Sequence, residues 1–211
     1  MIGFYNYTVI ATYLATLLGL MGIYNAIEGN MLSSVVCLLI AGLLDSVDGR
    51  IARTKKDRTD NEKRFGIQID SLNDVVCFGV LPSVLSYTLC REALGEVPAW
   101  FCATACFFAL AGLIRLAYFN VLEEERQEVE GATERKYYLG VPITASTLAF
   151  PLLYLLCRLF PAATAPVLTV GLLAVGILYI TPLHVKHPDG KSIVVMAFLG
   201  AVELVGLILV G

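Results

Sequence analysis

The chain is poor in charge. Only 16% of its 211 residues are Asp, Glu, Lys or Arg, against about 25% in a soluble globular domain. Histidine is nearly absent: the sequence has two, and His184-x2-His187 alone makes a poor metal site. None of the six cysteines (Cys37, Cys77, Cys90, Cys102, Cys106 and Cys157) belongs to a C-x-x-C pair, and all lie in apolar segments. A disulfide framework is therefore not indicated, and the cysteines read as small buried hydrophobes. There is no internal repeat, low-complexity tract or long polar linker. The N-terminus lacks a basic n-region, and no cleavage site follows the first apolar run, so a cleavable signal peptide is not expected.

What is present is long apolar sequence, 57% hydrophobic overall. A helix needs about 20 apolar residues to cross a bilayer. Seven segments qualify, at about 8–26, 31–53, 67–90, 98–120, 141–159, 164–182 and 192–210. They are continuously apolar rather than alternating, which disfavours a strand barrel. The expected fold is an all-α integral membrane protein forming a single transmembrane domain over 1–211. All but Arg91 and Arg158 of the 15 Lys and Arg fall on the side of the second, fourth and sixth connections, either within them or, for Arg50, Arg53 and Arg115, in the last turns of the segments that lead into them. By the positive-inside rule this asymmetry puts the N-terminus in the cytoplasm. The mixed-charge stretch from Glu123 to Lys136 reads as a solvated face or a helix extension, with Tyr137 and Tyr138 as interface anchors.

Against this apolar background four carboxylates stand out. Asp45, Asp48, Gly49, Ala52 and Arg53 follow i, i+3, i+4, i+7, i+8 and share one face of the second segment. Asp70 and Asp74 share a face of the third. With a rise of about 1.5 Å per residue, Asp45 lies roughly 12 Å deeper than Arg53, and Asp74 lies at a similar depth below Gly66. The two segments are joined on the cytoplasmic side and run antiparallel, so the four acids converge in one cavity open to the cytoplasm. Charge at membrane depth is expensive and is kept for function. An all-oxygen set favours Mg²⁺, Mn²⁺ or Ca²⁺, and two such ions would bind a diphosphate. Gly49 and Gly66 remove side chains where a ligand needs close approach, and Arg53 is a phosphate or base partner. A cation pathway, or ion pairs between helices, would also account for buried acids. Neither explains the glycines and Arg53 at these spacings, and one Arg cannot pair four Asp.

These residues resemble the signature of the CDP-alcohol phosphatidyltransferases, D-x2-D-G-x2-A-R, then G-x3-D-x3-D. Asp45, Asp48, Gly49, Ala52, Arg53, Gly66, Asp70 and Asp74 match every fixed position. One departure is clear: the residues Thr54 to Phe65 make the connection between Arg53 and Gly66 longer than the usual eight or nine. Asn6-Tyr-Thr8 is similar to the N-x-x-T element before the first helix, one residue shorter. Phe78-Gly79 with Pro82, the run Arg115 to Asn120, and Gly140-Val-Pro142 resemble segments of the phosphatidylserine synthase branch.

The resemblance implies a six-helix catalytic core at about 5–182, an added C-terminal span at about 192–210, and a homodimer. It implies transfer of a phosphatidyl group from CDP-diacylglycerol to L-serine, giving phosphatidylserine and CMP, with no nucleic-acid partner. Asp45, Asp48, Asp70 and Asp74 would hold two divalent cations, Mg²⁺ or Mn²⁺, and Asp74 would also be the general base. Gly49, Ala52, Arg53 and Gly66, with Asn6 and Thr8, would line the CDP site. Arg115, Asn73 and Asn120 are candidates for the acceptor or a lipid phosphate. For Arg115 the competing reading is an interface Arg that snorkels. A sister enzyme using glycerol 3-phosphate, inositol phosphate or an ether-lipid donor is the alternative. Glu203, mid-span in the last segment, has no assigned role.

Overall fold

A computed structural model describes residues 3–130, 137–186 and 190–210. Arg135, Lys136 and His187 lie outside the described residues. The chain is a helical membrane protein whose apolar runs become α1 (Tyr7–Ile27), α2 (Met31–Thr54), α3 (Asp60–Asp74), α4 (Leu81–Leu94), α5 (Ala99–Glu130), α6 (Ser146–Leu159), α7 (Thr164–Ile180) and α8 (Gly190–Val210). A π-helical turn, Val75–Val80, joins α3 to α4, so Asp60–Leu94 is one continuous rod.

Seven rods match the seven expected segments, but their lengths differ from the expectation. Among the described residues five rods are long and apolar enough to cross a membrane alone. The helix α6 has 14 residues, about 21 Å of rise, short of a bilayer core of about 30 Å. It starts late because residues 141–145 are spent on Pro142 and a 3₁₀ turn, Ile143–Ala145. The third rod begins earlier than expected, at Asp60. The Thr59 hydroxyl accepts from the Glu62 amide while the Glu62 carboxylate accepts from the Thr59 amide, a reciprocal cap that starts the helix outside the apolar run. The mixed-charge stretch after the fourth segment continues α5 as helix to Glu130.

Two short strands were not expected. In β1, Tyr137–Leu139 pairs antiparallel with His184–Lys186 of β2, tying the connection after α5 to the one after α7. Gly140 ends β1 at φ +80, and an added Cβ would press on the carbonyl oxygens of Tyr179 and Thr181 at 3.3 and 3.4 Å. Only glycine combines that backbone with that approach.

The core lies between α1, α2, the π turn and α4, around Leu38, Phe78, Leu81 and Leu85. The buried face of α1 is built from small residues, Ala11, Thr12, Ala15, Gly19, Gly22 and Ala26. A bilayer supplies no hydrophobic drive between helices, so close backbone packing has to hold them together. A Cβ at Gly19 would lie 2.5 Å from Cys77 Sγ. Of the cysteines, Cys37, Cys77, Cys90 and Cys157 are buried as expected. Cys102 is half-buried and Cys106 is exposed on α5, because its side of that helix faces outward rather than into the bundle.

Candidate active site between α2 and α3

The helices α2 and α3 are joined by a short connection, and the side chains of their two acidic faces reach toward one another. Asp45 abuts Asp74, and Asp48 abuts Asp70. One carboxylate oxygen each from Asp45, Asp70 and Asp74 lies within 4.8 Å of the others. Asp48 stands beside this trio rather than in it. Its side chain is buried and accepts a 3.1 Å hydrogen bond from the Thr12 hydroxyl of α1. Asp70 Oδ1 and Asp74 Oδ1 are buried with no hydrogen-bond partner. Buried acceptors are almost always satisfied, so an orphaned pair marks a place for a ligand. The donors are all oxygen, clustered and partly unbonded, which fits a hard divalent cation such as Mg²⁺ or Mn²⁺.

The residues around the cluster fall into two groups. Gly49 faces open space, with nothing within 4 Å of an added Cβ. Ala52 is half-buried and Arg53 is exposed, both in the last turns of α2. Gly66 is not open. The space beside it holds the Arg58 guanidinium, whose Nη2 would lie 2.6 Å from a Gly66 Cβ. Asn6 and Thr8 do structural work at the same rim. Asn6 caps α1 by accepting from the Thr8 amide at 3.1 Å, and the Thr8 hydroxyl also donates to it. The Asn6 amide donates to Glu62 at 2.7 Å. Lys55 reaches the same Glu62 oxygen at 2.8 Å, a hydrogen bond that raises the Lys55 ammonium above its ordinary range. Glu62 thereby ties the starts of α1 and α3 to the end of α2.

The acceptor-side candidates also separate. Asn73 is 1% exposed and turns toward α1, accepting from Thr16 Oγ1 at 2.9 Å and Cys77 Sγ at 3.2 Å. Asn120 clamps α5 to α3 by donating to Ser71 Oγ at 2.8 Å. Because α5 runs antiparallel to α3, Arg115 then lies near the level of Asp74 and the π turn. Arg115 is 8% exposed, with its guanidinium 5.7 Å from the centre of the Phe119 ring. It is a buried cation, not one that snorkels. It lines a cleft of about 310 Å³ between α5 and α7 with Tyr118, Phe119, Leu122, Tyr179 and Thr181.

Thr12, Thr16, Arg58, Glu62 and the π turn escaped the reading of the sequence. A signal for the threonines was there: Thr8, Thr12 and Thr16 recur at i, i+4, i+8 on one face of an apolar helix. The π turn had none. It begins at the residue after Asp74 and shifts the helix phase, so that a carboxylate-bearing face gives way to the buried Cys77 and Phe78.

The CDP-alcohol phosphatidyltransferase family model matches residues 5–187. The chain belongs to that family. The match spans both strings of aspartates and every helix through α7. Among curated relatives of this phosphatidyltransferase, CDP-diacylglycerol–serine O-phosphatidyltransferase of Helicobacter pylori is 27% identical over 179 residues, 83% of this chain and 69% of the relative. The enzyme of the same name from Methanocaldococcus jannaschii is 29% identical over 178 residues, covering 84% and 76%. Archaetidylserine synthase of Methanothermobacter thermautotrophicus is 29% identical over 174 residues, covering 82% and 66%.

Proposed function

We propose that this phosphatidyltransferase moves a phosphatidyl group from CDP-diacylglycerol to L-serine, releasing CMP. The observation that carries the reading is the buried carboxylate trio of Asp45, Asp70 and Asp74, with its orphaned oxygens, at the family signature. The names of the relatives support serine as the acceptor. Asp45, Asp48, Asp70 and Asp74 would hold two divalent cations, and such ions would polarise the phosphoryl oxygens and neutralise charge on the leaving nucleotide.

The chain's own residues supply the rest. The lipid tails stay in the bilayer, and the nucleotide head enters beside Gly49, where no side chain blocks it. Asp74, buried at the end of α3, takes the serine hydroxyl proton as the oxygen attacks the β-phosphorus. The bond from the β-phosphorus to the bridging oxygen breaks, and CMP leaves with that oxygen. Thr12 holds Asp48 in place through its hydroxyl. Arg115, level with the cluster, offers a planar fork to the serine carboxylate. Positioning and charge stabilisation carry most of the acceleration, since a carboxylate is a weak base for an alcohol.

The ether-lipid alternative keeps a specific support, because one relative is named archaetidylserine synthase. One assay decides among these readings. Purified protein is incubated with Mn²⁺, CDP-diacylglycerol and either serine, glycerol 3-phosphate or inositol phosphate, and CMP is measured. Serine-dependent CMP is expected. CMP with glycerol 3-phosphate but not serine would reassign the acceptor, and no CMP with any alcohol would remove the transferase reading.

A further inference from the structure

Arg58 lies in the connection that is longer than the family pattern, and it does not behave like a solvated loop cation. It folds back between the two halves of the signature. Its Nη2 donates to the Glu62 carbonyl at 3.1 Å and its Nη1 reaches the Ala52 carbonyl at 3.5 Å. The guanidinium fills the space that Gly66 leaves by having no side chain. Ala52 is one turn above Asp48, and Gly66 is one turn above Asp70. The charge therefore sits about 6 Å to the loop side of the carboxylates.

Two features point to an anion as its partner. Lys55 and Lys63 have carboxylate partners at 2.8 and 3.0 Å, whereas Arg58 has none among the described residues. Its Nε is buried with no hydrogen-bond partner. A half-buried cation that meets only main-chain carbonyls, with one donor orphaned, is held ready for an acceptor.

We propose that Arg58 is a nucleotide-side contact of the reaction, binding the α-phosphoryl group of the CDP-lipid and holding CMP as it departs. This rests on the reading of a CDP-lipid as donor. When the serine oxygen bonds to the β-phosphorus and the bridging oxygen leaves, the negative charge that grows on CMP falls on the side where Arg58 stands, opposite the acceptor side marked by Arg115. The planar fork suits two phosphate oxygens at once, which a lysine cannot match. The glycine at position 66 then has a reason particular to this chain: it seats the arginine.

The test uses the full-length enzyme in detergent with Mn²⁺, with CMP itself as the probe. Wild type, Arg58→Gln and Arg58→Lys are compared for KM of CDP-diacylglycerol, KM of serine, inhibition by CMP, CMP binding by calorimetry, and Tm. Losing a charge-assisted contact is expected to raise the KM for CDP-diacylglycerol and weaken CMP binding by about tenfold or more. The serine KM and the Tm stay unchanged, and lysine restores only part of the loss. Should Arg58→Gln fail to fold, Arg58→Lys carries the same comparison. Gly66→Ala, whose Cβ must push the guanidinium aside, is expected to weaken CMP binding in wild type and to add nothing in Arg58→Gln. Unchanged CMP binding, or a lowered Tm without a change in CMP binding, would overturn the proposal and leave Arg58 a latch between loop and helix. Because CMP binding is read without an acceptor, absence of serine-dependent turnover would overturn the synthase reading while still testing Arg58.

Discussion

At the scale of single residues, the site works by leaving specific atoms unsatisfied. Asp70 Oδ1 and Asp74 Oδ1 are buried without partners, an arrangement that costs stability unless a ligand completes it. Asp74→Asn keeps the shape of the side chain and removes the base. Turnover is expected to fall at least about a hundredfold, with helix content by circular dichroism unchanged; turnover near wild type would remove Asp74 from the proton transfer. Thr12→Val keeps the volume and deletes the donor to Asp48. The concentration of Mn²⁺ needed for half-maximal activity is expected to rise about tenfold or more, as it does when a partner behind a metal ligand is lost. An unchanged Mn²⁺ requirement would mean that the Thr12 hydroxyl does not hold Asp48 for the ion.

At the scale of elements, the packing of α1 against the π turn decides where the aspartates point. The close pass of Gly19 over Cys77 admits no Cβ without movement. Gly19→Ala is expected to cost about 1–3 kcal/mol through overpacking, read as a lower Tm in detergent, and Cys77→Ala should restore part of it. If Gly19→Ala melts with wild type, the two helices are not as close as described. The same elements show why part of the site was legible in the sequence. Asp45, Asp48, Asp70 and Asp74 stood out because an acid is rare in an apolar run and i, i+3 or i, i+4 spacing puts neighbours on one face. Thr12 and Thr16 were hidden because a hydroxyl in a membrane helix can satisfy itself on its own backbone, as Thr16 also does with Thr12 O at 2.9 Å. Arg58 and Glu62 sat among loop charges, and only the folded connection tells which cation turns inward. The sequence hides how short α6 is, because apolar composition continues through Pro142 and Ile143, where the backbone is not yet α-helical.

At the scale of the whole molecule, the helices form one membrane-embedded body with its chemistry near one face. The pairing of β1 with β2 puts the ends of α5 and α7 on the same side, in keeping with the charge asymmetry of the connections. We propose that this side is the cytoplasm. A cysteine placed at Lys56, exposed beside the site, should react with a membrane-impermeant maleimide only from the cytoplasmic side. One placed at Glu96, exposed at the far end of α4, should react only from the other. The reverse pattern would invert the topology and put the nucleotide site outside. Whether the carboxylate trio is the seat of phosphoryl transfer from a CDP-lipid is read by titrating Mn²⁺ into EDTA-stripped protein at saturating CDP-diacylglycerol and serine. Wild type should recover CMP release from nothing to full activity, and Asp70→Asn should release none at any Mn²⁺ concentration. Serine-dependent CMP release without a divalent cation, or from Asp70→Asn at the wild-type rate, would mean that the transfer does not run through these carboxylates.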